Sequence, residues 1–196
     1  MAETWLRSPL RRKNVRPRVL VPVAAALLAI AFSHPTPATL ALGFALAAAG
    51  EALRLWATGH LVKTDRLTVV GPYAHLRHPL YAGSLLIGLG LLTAAGPRVL
   101  LVGAPLGLGF FFLYYLPRKE RLESARLLER YGSAFDLYRK SVRMLIPRLR
   151  PFEGADRDAR WSFARVVDND ELGTTLAVTL AFAGLCVRLA YLALSA

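Results

Sequence analysis

Long apolar blocks alternate with short polar or basic connections along the whole chain. Five blocks stand out: about 19–32, 38–58, 79–95, 99–116 and 172–194. Roughly 20 residues of helix cross the hydrocarbon of a bilayer, so each block reads as a membrane span. The first and third are marginal in length and fit best as members of paired hairpins. Their turns, "SHPTP" and "GPR", are very short. One further stretch, residues 118–147, changes period. Leu127, Tyr131, Ala134, Phe135, Tyr138 and Val142 recur at helical spacing on one face, which predicts an amphipathic helix outside the hydrocarbon. Glu120 and Glu123 continue that face backwards, and Gly132 in mid-pattern predicts a break or a close backbone approach. The expected fold is an all-α, polytopic membrane bundle of about five transmembrane helices plus a cytoplasmic amphipathic helix. All of residues 1–196 fall in this single membrane domain.

Composition supports that reading and charge orients it. Of 196 residues 55% are hydrophobic and 19% charged, yet the net charge is +12. In a soluble protein such a charge suggests nucleic acid. Here the cations cluster between apolar blocks, so no nucleic-acid partner is expected; membrane lipids are. The tail to Arg18 holds six Lys and Arg, the connection 59–78 holds Lys63, Arg66 and Arg77, and the segment 117–171 holds thirteen. The short turns and the C-terminus hold only Arg98. Basic segments stay inside. The N-terminus is therefore expected in the cytoplasm of a bacterial inner membrane and the C-terminus outside. No secretory signal peptide is evident. Cys186, the lone cysteine, is expected to be a small buried hydrophobe. Gly103-x-x-x-Gly107 and the group Gly83, Ser84, Gly88 and Gly90 offer small faces for helix packing.

Polar groups inside apolar surroundings are the candidates for chemistry. Glu51 and Arg54 interrupt the second block three residues apart, either as an ion pair or as one wall of a site. The stretch "GPYAHLRHPLYAG", residues 71–83, crowds Tyr73, His75, Arg77, His78 and Tyr81 against the start of the third block. Pro79 suits the first position of a helix, and His78 before it is pushed out of helical geometry. The cluster should therefore sit at a helix mouth on the cytoplasmic membrane edge. No metal-ligand spacing is present, and no metal is expected. Residues 161–173, with Trp161 and Phe163, suit the membrane surface.

Together these stretches resemble the isoprenylcysteine carboxyl methyltransferase and phospholipid methyltransferase families, in their bacterial branch. Gly71, Tyr73, Arg77, His78, Pro79, Tyr81 and Gly83 match the first signature of those families. Glu123, Leu127, Tyr131-Gly132, Phe135, Tyr138 and Ile146-Pro147 follow the second, with Ser124 where it has another acid. The resemblance covers about residues 50–147. It implies a membrane-embedded methyltransferase using S-adenosylmethionine and a lipid-like methyl acceptor, most simply a prenylated cysteine-type carboxylate. Phospholipid amine methylation and a non-catalytic relative are the alternatives. Tyr73, His78, Tyr81, Glu120 and Glu123 would bind the cofactor, with Arg77 and Glu123 catalytic. Cations along that edge suit an anionic or neutral acceptor, and Arg54 and Arg143 are the expected acceptor-binding residues.

Overall fold

The computed structural model describes residues 17–62, 67–154 and 160–195, with the backbone alone for 17–23. The basic tail, Lys63, Arg66 and part of the polar link at 148–160 lie outside the described residues. Within them the fold is all-helical: α1 (Pro17–Ala31), α2 (Pro37–His60), α3 (Pro79–Ala94), α4 (Pro97–Gly109), α5 (Leu116–Ser141), α6 (Phe163–Asp168) and α7 (Glu171–Leu194). A π-helical segment, Phe110–Tyr115, joins α4 to α5 without a break, so one helix runs from Pro97 to Ser141. Helix thus continues from the fourth block into the amphipathic stretch without a turn between them, and the kink comes only at Gly132. Three helices are long and apolar enough to cross a membrane: Pro37–His60, Pro97–Ser141 and Glu171–Leu194. Apolar α3 is shorter, at 16 residues, and α1 has 15. This is a membrane protein: large apolar side chains such as Leu101, Leu113, Leu180 and Val187 stand exposed on these helices, as lipid-facing residues do.

Prolines begin most of the helices. Pro37, Pro79 and Pro97 sit in first turns, where a missing N–H leaves no bond unmade. Thr36 caps α2 in a reciprocal arrangement with Thr39. The two short turns meet at one end of the bundle, where the His34 N–H donates to the Ala95 carbonyl (3.0 Å). Nearby, Ala94, Ala95 and Leu185 form a small core with Ile30, Leu40 and Phe182.

The closest helix pair is α2 with α3, and small residues make it possible. A Cβ on Gly90 would lie 2.6 Å from the Gly43 carbonyl oxygen, and one on Gly50 would lie 2.6 Å from that of Gly83. The packing face is therefore Gly43, Ala47 and Gly50 against Gly83, Ile87 and Gly90. Gly103 abuts Leu92, whereas Gly88 and Gly107 face open space. Gly90→Val should cost at least about 1–3 kcal/mol, because backbone rather than a flexible side chain stands in the way. Gly88→Ala should be neutral. Melting temperatures in mild detergent distinguish the two.

Two expectations need correction here. Cys186 is exposed on α7 instead of buried. Glu51 and Arg54 do not pair. Arg54 reaches across to α7 and binds Glu171 through Nε (2.7 Å) and Nη2 (2.9 Å), while Glu51 accepts from the Thr175 hydroxyl. Glu171 is 2% exposed, so the Arg54–Glu171 pair is buried between helices.

Opposite the short turns, a return segment closes the bundle. After Val142 the chain returns alongside residues 74–78: Arg77 and His78 donate backbone N–H groups to Arg143 and Met144, and Arg148 and Phe152 donate to His75 and Ala74. Helix α6 covers the end of α2, where the Asn169 amide donates to the Thr58 and Leu61 carbonyls. The Trp161 indole donates to the Leu55 carbonyl (3.0 Å), with its ring over Gly59.

Candidate functional site: a buried ionic cluster beside a cavity

The first turn of α3 meets the first turns of α5, which places the candidate residues. His78 is the non-helical residue before α3 (φ −121, ψ 64), and Tyr81 is one turn inside. Their rings stack with centroids 5.1 Å apart. Tyr115, from the π-helical segment, stands edge-on to Tyr81 at 5.6 Å.

Carboxylates from α5 complete the cluster. Glu120 accepts from His78 Nε2 and pairs with Arg77 Nη2 (2.8 Å). Glu123 accepts from the Tyr81 hydroxyl and lies 3.8 Å from His78 Nδ1. Ser124 donates to the other oxygen of Glu120 (2.8 Å). The residue standing where the second signature has an acid is thus a donor to Glu120, one turn back on the same helix. Sequence spacing alone had shown Ser124 only as a missing acid.

Burial pushes the Glu120 carboxyl up, but hydrogen bonds from His78 and Ser124 and the Arg77 charge outweigh it and hold it down at about 2. Burial lowers Arg77 and raises Tyr73.

Beside the cluster lies a cavity of about 340 Å³. Thr68, Tyr73, Arg77, His78, Tyr81, Glu123, Ser124 and Arg126 form its polar part; Leu61, Leu67, Leu127, Tyr131, Phe135 and Tyr138 form much of the rest. Phe135, Tyr138 and Val142 are themselves buried, packed on Leu127, Tyr131 and Phe152, which is the face the amphipathic pattern indicated. Gly132 adopts φ +52 with nothing within 4 Å, so it serves a break in α5 rather than a close approach.

Three donor atoms around this cavity have no partner among the described residues. The Arg77 side chain is 9% exposed, and its Nε and Nη1 are buried without a hydrogen bond. Tyr73 is 8% exposed, and its hydroxyl is buried and unpartnered. Unmade buried hydrogen bonds cost about 1–3 kcal/mol each, so these atoms suit an acceptor that enters the cavity. Arg54 and Arg143 do not line it. Arg54 is held by Glu171, and exposed Arg143 contributes its backbone carbonyl to Arg77. Among the described residues, no group of three or more His, Cys, Asp or Glu is placed to hold a metal ion.

No family model and no solved structure matches the chain. Two curated proteins are similar over part of it. Over 115 residues it is 34% identical to the nickel-cobalt-cadmium resistance protein NccN of Alcaligenes xylosoxydans xylosoxydans, covering 57% of this chain and 49% of that protein. Over 117 residues it is 36% identical to the cobalt-zinc-cadmium resistance protein CzcN of Cupriavidus metallidurans, covering 58% of this chain and 50% of that one. The chain spans about half the length of the curated relatives it matches.

These findings overturn the methyltransferase expectation. The relatives are named for metal resistance, so the assignment to the isoprenylcysteine carboxyl and phospholipid methyltransferases does not stand. Methylation of a prenylated carboxylate or of a phospholipid amine falls with it. The structure gives a physical reason why the motifs alone were a weak guide. Pro79 starts α3, Gly83 lets α2 approach, Gly132 breaks α5, and Phe135 and Tyr138 build a core. Much of the two-part pattern serves to start, bend and pack helices.

Proposed function

We propose that this chain serves in resistance to divalent transition-metal ions, with cobalt and cadmium, which both relatives' names share, as the first candidates. Its part is to bind a small molecule bearing an anionic group in the cavity beside α3 and α5. One observation carries this reading: Arg77 and Tyr73, whose Nε, Nη1 and hydroxyl have no partner among the described residues, both line a cavity of ligand-binding size. A fork of guanidinium N–H groups suits a carboxylate or phosphate. Direct capture of the ion by a dedicated ligand set is the less favoured reading, since the described residues offer no such cluster.

The expected cofactor enters this proposal only as a ligand. S-adenosylmethionine carries a carboxylate on its amino-acid end, which matches the spare donors, and the aromatic walls suit its ring. Calorimetric titration with S-adenosylhomocysteine tests that occupant. Heat of binding in the wild type supports it, and none removes it.

The resistance role is tested by growth. Deleting the gene from its host should lower the cobalt or cadmium concentration at which growth stops, and restoring it should reverse the loss. Unchanged tolerance contradicts the proposal. We also place the N-terminus and the cavity on the cytoplasmic side of a bacterial inner membrane, on the strength of the basic segments. Reporter fusions after Ala38, Arg98 and Ala196 should read outside, and fusions near Gly71 and Gly154 inside. A cytoplasmic signal after Ala196 contradicts this orientation.

A further inference from the structure

A second cavity of about 340 Å³ lies between α2 and α7, away from the site described above. Its walls are apolar: Phe44, Ala48 and Leu55 on one helix, Val178 and Phe182 on the other. The far end is closed by Phe44 and Phe182, edge to face at 5.7 Å. The near end holds Glu51, one helical turn from Leu55, whose carbonyl receives the Trp161 indole. Glu51, with Thr175 facing it, is thus a polar spot between Leu55 on the Trp161 side and a longer apolar stretch that ends at Phe44 and Phe182.

Glu51 is only half satisfied. One carboxylate oxygen accepts from the Thr175 hydroxyl, and the other is buried with no partner among the described residues. The neighbouring donors are already used. The Thr179 hydroxyl donates to the Thr175 carbonyl (2.8 Å). Arg54, one turn away on α2, spends Nε and Nη2 on Glu171 and Nη1 on Leu80 and Ser84. What this cavity offers a visitor is acceptors and a carboxylate. The visitor must bring the donor, and a carboxylate in apolar surroundings is best met by a cation.

We propose that this cavity binds a lipophilic primary amine, with its ammonium group on the free oxygen of Glu51 and its apolar body running towards Phe44 and Phe182. The polar-to-apolar order of the walls matches that of such a molecule. A phospholipid fits poorly, even one with an ammonium head. Its phosphate would lie beside Glu51 with no free cation among the described residues of the cavity to receive it, because Arg54 is committed to Glu171.

The test uses the full chain in phosphatidylcholine nanodiscs and a straight-chain alkylamine carrying a diazirine, with the matching alcohol as control. Light should attach the amine to peptides containing Phe44 to Leu55 and Thr175 to Phe182, and the alcohol about tenfold less. Glu51→Gln should reduce amine labelling about tenfold, bringing it to the level of the alcohol. Where Glu51→Gln lowers the melting temperature, competition on the wild type decides: unlabelled alkylamine should displace the probe and the alkyl alcohol should not. Equal labelling by amine and alcohol, label indifferent to Glu51→Gln in a folded protein, or failure of the unlabelled amine to compete would each overturn the proposal. So would phosphatidylethanolamine nanodiscs suppressing the label as strongly as the free amine does. None of these results depends on the cavity beside Arg77 or on metal tolerance.

Discussion

Arg54→Met is expected to lower the stability of the bundle by about 3–5 kcal/mol, the usual cost of removing one member of a buried ion pair. Arg54 holds both oxygens of Glu171, which is 2% exposed and would be left without its cation. The same guanidinium also donates to the Leu80 carbonyl (3.2 Å) and the Ser84 hydroxyl (2.6 Å). One side chain therefore ties α2, α3 and α7 together, and it anchors the turn of α3 that carries Tyr81. Arg54→Met combined with Glu171→Leu should recover most of the loss, since a well-packed apolar pair avoids the desolvation penalty altogether. Thermal unfolding in one detergent, completed as a double-mutant cycle, measures both effects. A loss below about 1 kcal/mol in the single variant would mean that water already compensates Glu171.

Arg77→Ala is expected to have the largest effect on the site. It removes the two spare N–H groups and the cation that holds Glu120 at 2.8 Å. A hydrogen bond to a charged group is worth about 1.5–3 kcal/mol, so binding of an anionic ligand should weaken about tenfold to a hundredfold. Arg77→Lys should recover little, because an ammonium group does not reproduce the guanidinium fork. Tyr73→Phe should weaken binding by less, as it removes one neutral donor. Calorimetry with S-adenosylhomocysteine gives the comparison, provided each variant melts within a few degrees of wild type.

The helices themselves could be read from the apolar blocks, because lipid demands unbroken stretches of hydrogen-bonded backbone. Local rules also placed the start of α3 at Pro79, the break at Gly132 and the packed face from Leu127 to Val142. They put His78 and Tyr81 at a helix mouth; that Glu120 and Glu123 meet them there was implied only by the family resemblance. What escaped were contacts between distant residues. Arg54 has Glu51 three residues away but binds Glu171, 117 positions on, because α7 packs against that side of α2. Helical spacing cannot reveal such a partner. Nor could it show that Trp161 covers Gly59, or that α4 continues into α5 through a π-helical segment. The functional misreading had a different origin. Residues needed to start, bend and pack helices form a motif as readily as residues needed for a reaction, and only the named relatives separated the two.

Metal tolerance with and without the spare donors of the cavity tests the central claim most directly. Cells lacking the gene would receive either the wild-type chain or Arg77→Ala, at equal amounts in the membrane, and grow in graded cobalt and cadmium. Wild type should restore tolerance and Arg77→Ala should leave the cells close to the deletion strain. Full tolerance with Arg77→Ala would contradict a role for this cavity in metal resistance.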